Sequence, residues 1–322
     1  MKPLINKSLI PTFLWYIPLG VLVFSINNKE ILYKILLKSS YFISAIVFIV
    51  FIQIFVGNSE EIKNYNMFFS YTLLLPTLIH ITEFVRTKKK YLLFLSLFEI
   101  LEILIYGARG PLLWIIIFSF FVIFINKNKI KKTFLVAITV FAIFIFINTD
   151  SFLLYLTKQL DYYDINSRTI TLLTSNDITL LSSRDLIWNS SISLILEKPI
   201  LGYGLGNEFY AISNDMNMGR DEIVSPHNGI LQLALNFGIL SGVILSVLII
   251  ISFFIIRKIN NVFHRNLLLI FFFAFILPSI TVGDGLLTKP GAAVYFYLFL
   301  NYIFQKNKYQ NEIKLQKKII HN

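Results

Sequence analysis

The chain has no cysteine, which removes disulfide frameworks and thiolate metal sites from the possibilities. Histidine is almost as scarce: His80, His227, His264 and His321 are too scattered to read as a metal cluster. Charged residues make up only 15% of the sequence, against about 25% in an ordinary soluble domain. The first apolar run lacks a basic lead-in followed by an A-x-A-like cleavage site, so no removable signal peptide is read there. Polar helix faces are missing as well. Apolar runs recur from end to end with a mean hydropathy of +0.70, and a helix apolar all round lies in lipid or in a large core. A chain of 322 residues, 56% of them hydrophobic and grouped in uninterrupted runs, is not soluble.

What the chain does have is positive charge, a net +11. In a soluble protein that balance would point to nucleic acid. Here Lys and Arg sit in short clusters between apolar runs, the pattern of the positive-inside rule, so nucleic acid is set aside. Nine runs approach the ~20 apolar residues that a span requires: about 12–26, 41–56, 65–85, 91–106, 111–125, 133–148, 237–256, 266–282 and 291–305. Pro18, Pro76 and Pro278 fall inside three of them, where membrane helices tolerate kinks. The expected fold is an all-α polytopic membrane bundle of about nine to ten transmembrane helices with one long extracytoplasmic loop containing short helices.

Loop charge sets the expected orientation. Arg86-Thr87-Lys88-Lys89-Lys90, the Lys127/Lys129/Lys131/Lys132 cluster, Arg257-Lys258 with Arg265, and the tail after Lys306 are assigned to the cytoplasm. They alternate with sparsely or evenly charged loops at 57–64, 107–110, 149–226 and 283–290. Nine spans leave the amino terminus outside with Lys2 and Lys7: either the first run does not span, or a helix is missing before it. The segments are then 1–148 (amino-terminal transmembrane helices), 149–226 (extracytoplasmic loop), 227–305 (carboxyl-terminal transmembrane helices) and 306–322 (basic cytoplasmic tail).

The 149–226 loop is the one long hydrophilic stretch, and loops of that length are functional or disordered. Ser182-Ser183-Arg184-Asp185 reads as a capping box. Ile187, Trp188, Ile192, Ile195 and Leu196 follow at helical spacing up to Pro199, predicting an amphipathic helix on the membrane or on the bundle. Gly202-Tyr203-Gly204-Leu205-Gly206 is a turn, without the preceding strand or the βαβ unit that a nucleotide loop needs. Residues 228–256 as one helix would be about 43 Å long, too long to span upright. A break near Gly238 or Gly242 would leave 228–236 at the outer surface and His227 at a helix start.

Three basic residues stand out at the outer face, where topology disfavours positive charge: Arg109 in a tight turn, Arg184 in the first turn of the loop helix, and His227. Helix N-termini and arginine forks suit phosphate. Each also has a plain reading. Arg109 can anchor a helix end by snorkelling, Arg184 can pair with Asp185 or Glu208 for little gain, and His227 can be an interfacial cap. Glu99 and Glu102, at i and i+3 inside a span, are functional candidates by default or an inward pair bonded to neighbouring helices. His80 and Glu83 read as interfacial. Asp161 and Asp164 have metal-like spacing but read as solvated loop.

In sequence order, Ser183-Arg184-Asp185-Leu186-Ile187-Trp188, Pro199-Ile200-Leu201-Gly202-Tyr203-Gly204-Leu205-Gly206 and His227-Asn228 resemble the O-antigen ligase and O-antigen (capsular, exopolysaccharide) polymerase superfamily. Its large outer loop has an Arg-and-Trp helix, a P-x-x-G-x-G turn and an HN pair. Gly107-Ala108-Arg109-Gly110-Pro111-Leu112-Leu113 resembles its S-R-G-x-L-L element. The resemblance covers roughly residues 95–260; this chain departs from the family in having fewer spans, a compact loop and no clear match at its start. It implies a multi-pass enzyme of the bacterial cytoplasmic membrane with its site facing outward. The implied chemistry is metal-independent, cofactor-free, inverting glycosyl transfer from a polyprenyl-diphosphate-linked oligosaccharide. On the same basis Arg109 and Arg184 hold the diphosphate, His227 acts at the reaction centre, and Trp188, Gly202, Gly204 and Asn228 contact diphosphate or glycan. Membrane lipids, a chain-length regulator and a flippase are the implied partners.

Polymerase leads, with ligase as the alternative acceptor. A flippase or other transporter would concentrate ionisable residues near the midplane and show repeats. No repeat is visible, and the distinctive residues sit at the outer face.

Overall fold

The structure is a computed structural model that describes residues 17–26, 28–56, 67–106, 109–125, 158, 182–217, 224–282 and 290–321. Among these residues every regular element is a helix. The run expected at 133–148, with Asp161 and Asp164, lies outside the described residues. Each of the other candidate runs falls on a helix: α1 (Ile17–Ser25), α2 (Lys29–Val56), α3 (Met67–Thr87), α4 (Lys90–Tyr106), α5 (Arg109–Ile125), α9 (Ile239–Arg257), α10 (Val262–Phe271) continuing into α11 (Leu277–Val282), and α12 (Pro290–His321). Between α5 and α9 come the three helices of the polar segment: α6 (Ser182–Glu197), α7 (Glu208–Asp215) and α8 (Gly229–Phe237).

Four stretches are long and apolar enough to cross a membrane: Lys29–Gln53, Phe68–Thr87, Ile239–Arg257 and Val262–Ile280. Helices α4 and α5 have 17 residues each. They are therefore about 25 Å long, short of a ~30 Å hydrocarbon core. The eight described runs thus resolve into four full-length apolar helices, three shorter ones (α1, α4 and α5) and α12, which runs on into the basic tail. Helix α2 starts at Lys29 rather than near residue 41 because Asn28 caps it: its Oδ1 accepts from Glu30 N at 3.0 Å and Ile31 N at 3.3 Å.

Small and hydroxyl side chains share the buried faces of two apolar helices. On α2 the buried positions include Ser40 and Ser44 beside Val47 and Phe51, whereas Phe42, Ile46, Ile49 and Ile52 are exposed. On α9, Gly242 and Ser252 are buried beside Leu245 and Ile256, while Leu240, Val243, Val247 and Ile251 are exposed. Lipid tails give no reason to hide Ile or Phe, so small and hydroxyl side chains take the helix contacts.

The chain divides into two compact units, 1–32 with 184–322 and 33–183. In the first unit α1 packs with α12. Asn301 Nδ2 donates to Phe24 O at 2.8 Å, and the Phe24 and Phe304 rings meet edge to face. In the second unit α3 and α4 are joined by a short basic turn, with Lys88 at φ 62° and its N–H on Phe84 O at 2.7 Å. Helix α5 packs against both, around Leu74, Leu78, Leu92, Ile103 and Phe118.

In the first unit, α10 passes through a π-helical turn at Phe272–Ile276 before α11. Pro278 explains its place. Proline has no N–H and clashes with the carbonyl four residues back, and a π turn widens the backbone there.

Candidate active site

The polar segment has a small core of its own. Leu194 and Ile195 of α6, Ile212 of α7, and Ala234 and Leu235 of α8 are buried together, with Ile187, Tyr203 and Leu231 packed against them. Helix α6 begins at Ser182, where the capping-box reading put it. Its buried stripe differs from the expected one. Ile195 faces inward with Ser191 and Leu194, whereas Ile192 and Leu196 are exposed at 48% and 66%. The outward apolar residues continue into Ile200 and Leu201, both about four-fifths exposed, an apolar rim suited to lipid.

Of the two glycines that the length argument offered, the helix break falls at Gly238, and Gly242 lies inside α9. Gly238 has φ 88°, and a side chain there would run into the Pro199 and Ile200 carbonyls. Ile239 N donates to Pro199 O at 2.8 Å. A second clip faces it. Gly202, at φ 64°, abuts the Leu235 and Asn236 carbonyls, and any side chain would collide with them. Gly202 N donates to Lys198 O at 3.1 Å, Tyr203 N to Leu235 O at 2.6 Å and Gly204 N to Asn236 O at 3.0 Å. Gly202 and Gly204, expected to contact diphosphate or glycan, therefore have their amides on protein carbonyls. In this structure they close the ends of α6 and α8.

The HN pair divides its work. Asn228 is the N-cap of α8, its Oδ1 accepting from Ile230 N at 2.9 Å and Leu231 N at 3.2 Å, so this oxygen serves the helix. His227 comes one residue earlier in a left-handed conformation, φ 47°, half-buried, with its N–H on Ser225 Oγ at 3.3 Å. A left-handed residue other than glycine is strained unless its surroundings hold it, and such strain collects at functional sites. Gly229 lets α11 approach the start of α8: a Cβ there would meet Ser279 O at 2.9 Å.

Trp188 joins the two motif segments. Its indole Nε1 donates to Pro226 O at 2.9 Å, immediately before His227. The indole N–H is therefore occupied by protein, and Trp188 positions the His227 segment against α6. Arg184 is exposed one turn earlier on α6, at i−4 from Trp188 and so on the same helix face. Arg184, Trp188, Gly202, Gly204, His227 and Asn228 all belong to the first unit. Arg109 is the first residue of α5, in the second.

Glu208 is not the partner of Arg184 that the sequence offered. It is buried, 2% exposed, and its Oε1 accepts from Gln232 Nε2 at 3.3 Å. Glu208 Oε2, Gln232 Oε1 and Asn236 Oδ1 are buried without a hydrogen-bond donor. Burial pushes the Glu208 carboxyl above its ordinary range, and in the neutral form its O–H supplies a donor for one of these oxygens. Gln232 and Asn236, four apart in the apolar run Gly229–Phe237, were the available signal, because a polar pair on one face of such a helix needs a partner.

A carboxyl whose folded value lies above its unfolded ~4.3 stabilises the fold fully below that value and loses the contribution as pH rises through the raised one. Detergent-solubilised protein should therefore lose melting temperature as pH rises above about 4.3, and Glu208→Gln should flatten that slope. An identical slope in the variant would remove Glu208 as its source.

The second unit corrects the reading of His80. It is fully buried, with Nδ1 2.9 Å from Glu99 Oε1 and Nε2 2.9 Å from Ser40 Oγ. Only Glu83 fits the interfacial expectation, bonded to Arg86 at 2.8 and 2.6 Å and to Tyr33 Oη at 3.2 Å. His80 lies two turns inside α3, too deep for the headgroups. Among the described residues no group of three His, Cys, Asp or Glu is arranged to hold a metal ion.

No curated protein and no solved structure matches the chain. Residues 92–246 match the family model described as O-antigen ligase, a stretch that begins in α4, takes in Arg109, Arg184 and His227, and ends in α9. The match spans just under half of the chain and, with the all-helical fold and its helices long and apolar enough to cross a membrane, supports a likeness to the O-antigen ligase and polymerase superfamily.

Proposed function

We propose that the chain is a polysaccharide polymerase that joins polyprenyl-diphosphate-linked oligosaccharide repeat units at the outer face of the bacterial cytoplasmic membrane. The observation that carries this reading is the Trp188–Pro226 hydrogen bond. It ties the helix bearing Arg184 to the segment that presents His227, so an arginine and an imidazole stand on one scaffold.

In the proposed reaction the hydroxyl of one repeat unit attacks the anomeric carbon of another. His227 takes the hydroxyl proton, the carbon–oxygen bond to the diphosphate breaks, and polyprenyl diphosphate leaves with the bonding pair. Attack opposite the leaving group inverts the anomeric centre. The guanidinium group of Arg184 meets charge that grows on the departing diphosphate, so it stabilises the transition state more than the bound substrate. An imidazole is the side chain most often used for such a proton transfer. No metal is assigned a part.

The matching family's description favours a second reading, a ligase that moves the glycan to lipid A-core or another acceptor. Purified protein in liposomes, given lipid-linked repeat units alone, separates the readings. Chain growth with release of polyprenyl diphosphate is the expected result. Release only when a different acceptor is added would establish the ligase, and translocation without bond formation would establish a transporter.

A further inference from the structure

Helix α4 presents two carboxyls to the interior of the second unit, Glu99 and Glu102, one turn apart and both 0% exposed. They are not equivalent. Glu99 sits in a connected chain: Ser40 Oγ meets His80 Nε2, His80 Nδ1 meets Glu99, and Ser44 Oγ donates to Glu99. Glu102 has no donor on either oxygen. The opposite face of α4 is apolar and exposed, with Phe94 at 69% and Leu97 and Leu101 near 40%.

A cavity of about 360 Å³ adjoins the two acids, its wall formed by Ala45, Phe48, Leu95 and Phe98 with Tyr41 and Ser44. Phe48 is itself 41% exposed, so the apolar wall reaches the outer surface of the helices.

An ionised carboxylate with no donor, buried among membrane helices, is very costly and takes up a proton instead. A second negative charge next to Glu99 adds to that cost. The other occupant with the right charge would be a metal cation, which needs several oxygen ligands. Half of this cavity's lining residues are purely hydrocarbon, and the Ser44 hydroxyl is already bonded to Glu99.

We propose that Glu102, backed by the Ser40–His80–Glu99 chain, is an exchangeable proton-binding site inside the second unit, reached from the lipid through this cavity. The groups around it are Glu99 on its own helix, Tyr41 on α2 beside the same cavity, and His80 on α3 behind Glu99. Over Gly110–Val122 α5 has no titratable residue. Loss of the proton leaves two carboxylates sharing one imidazole, so the His80–Glu99 contact responds to the state of Glu102. The site belongs wholly to the second unit and does not depend on the choice of glycan acceptor.

Dicyclohexylcarbodiimide, an apolar reagent that dissolves in lipid, tests it. A protonated carboxyl gives its proton to a carbodiimide nitrogen while its oxygen adds to the central carbon. The acyl group then migrates to nitrogen as a stable N-acylurea, with no atom lost and no redox change. In full-length protein in liposomes, peptide mass spectrometry should find the adduct on Glu102 and not on Glu99. The yield should fall several-fold as the pH is raised and the carboxyl loses its proton, and stay unchanged by sodium. Glu102→Gln should lose the adduct and keep glycan transfer. Protection by sodium would overturn the proton assignment in favour of a metal cation. A Glu102 that reacts only after denaturation would be a sealed structural acid, which also overturns the proposal; both readouts use wild-type protein and do not depend on how the variant folds.

Discussion

Replacing His227 with asparagine is expected to stop glycan transfer while leaving the polar segment folded. Asparagine suits the test because His227 has a φ of 47°, a left-handed conformation that asparagine adopts more readily than other residues with a side chain. Alanine would confound lost chemistry with backbone strain. The cap of α8 is supplied by Asn228 and stays in place. A positioned general base contributes about 10²- to 10⁴-fold to rate, so transfer should fall by that order while the melting temperature is kept. Wild-type polymer length in cells with equal amounts of His227→Asn protein in the membrane would take His227 out of the mechanism.

The second large effect is expected at Arg184. Its side chain is exposed, and surface substitutions usually change stability by within about 0.5 kcal/mol, so a loss here reports on ligand rather than fold. Removing one donor from a transition-state anion site costs about 10²- to 10³-fold, and Arg184→Ala should show it. Arg184→Lys should recover only part of the rate, since an ammonium keeps the charge but cannot form two parallel bonds to a diphosphate. Inhibition by added polyprenyl diphosphate should weaken in both variants. Full turnover and unchanged product inhibition in the lysine variant would exclude diphosphate binding at this position.

Much of this organisation can be read without coordinates because it rests on local rules. The start of α6 at Ser182 and the break at Gly238 follow from capping preference and from the length a bilayer permits. The placement of His227 just ahead of a helix follows from the break. Roles that depend on partners distant in sequence are not legible in this way. The bond from Trp188 to Pro226, 38 positions later, has no signal in the stretch around Trp188. The glycines read as a flexible turn until the α8 carbonyls arrive against them. His80 and Glu99, 19 apart, meet only when α3 and α4 fold back on one another. Glu208 is missed because burial is a property of its neighbours, not of its own stretch of chain.

The two facing glycine clips have a consequence for how such an enzyme can diversify. Helix α8 is held by main-chain contacts at both ends: the Pro199–Gly204 turn at one, and Ser279 against Gly229 at the other. Backbone amides and carbonyls are the same whatever residue carries them. Side chains that face away from these contacts can therefore change without moving the start of α8, where His227 sits. Any residue larger than glycine at 202 or 238 would meet those carbonyls and shift the His227 segment along with the helix.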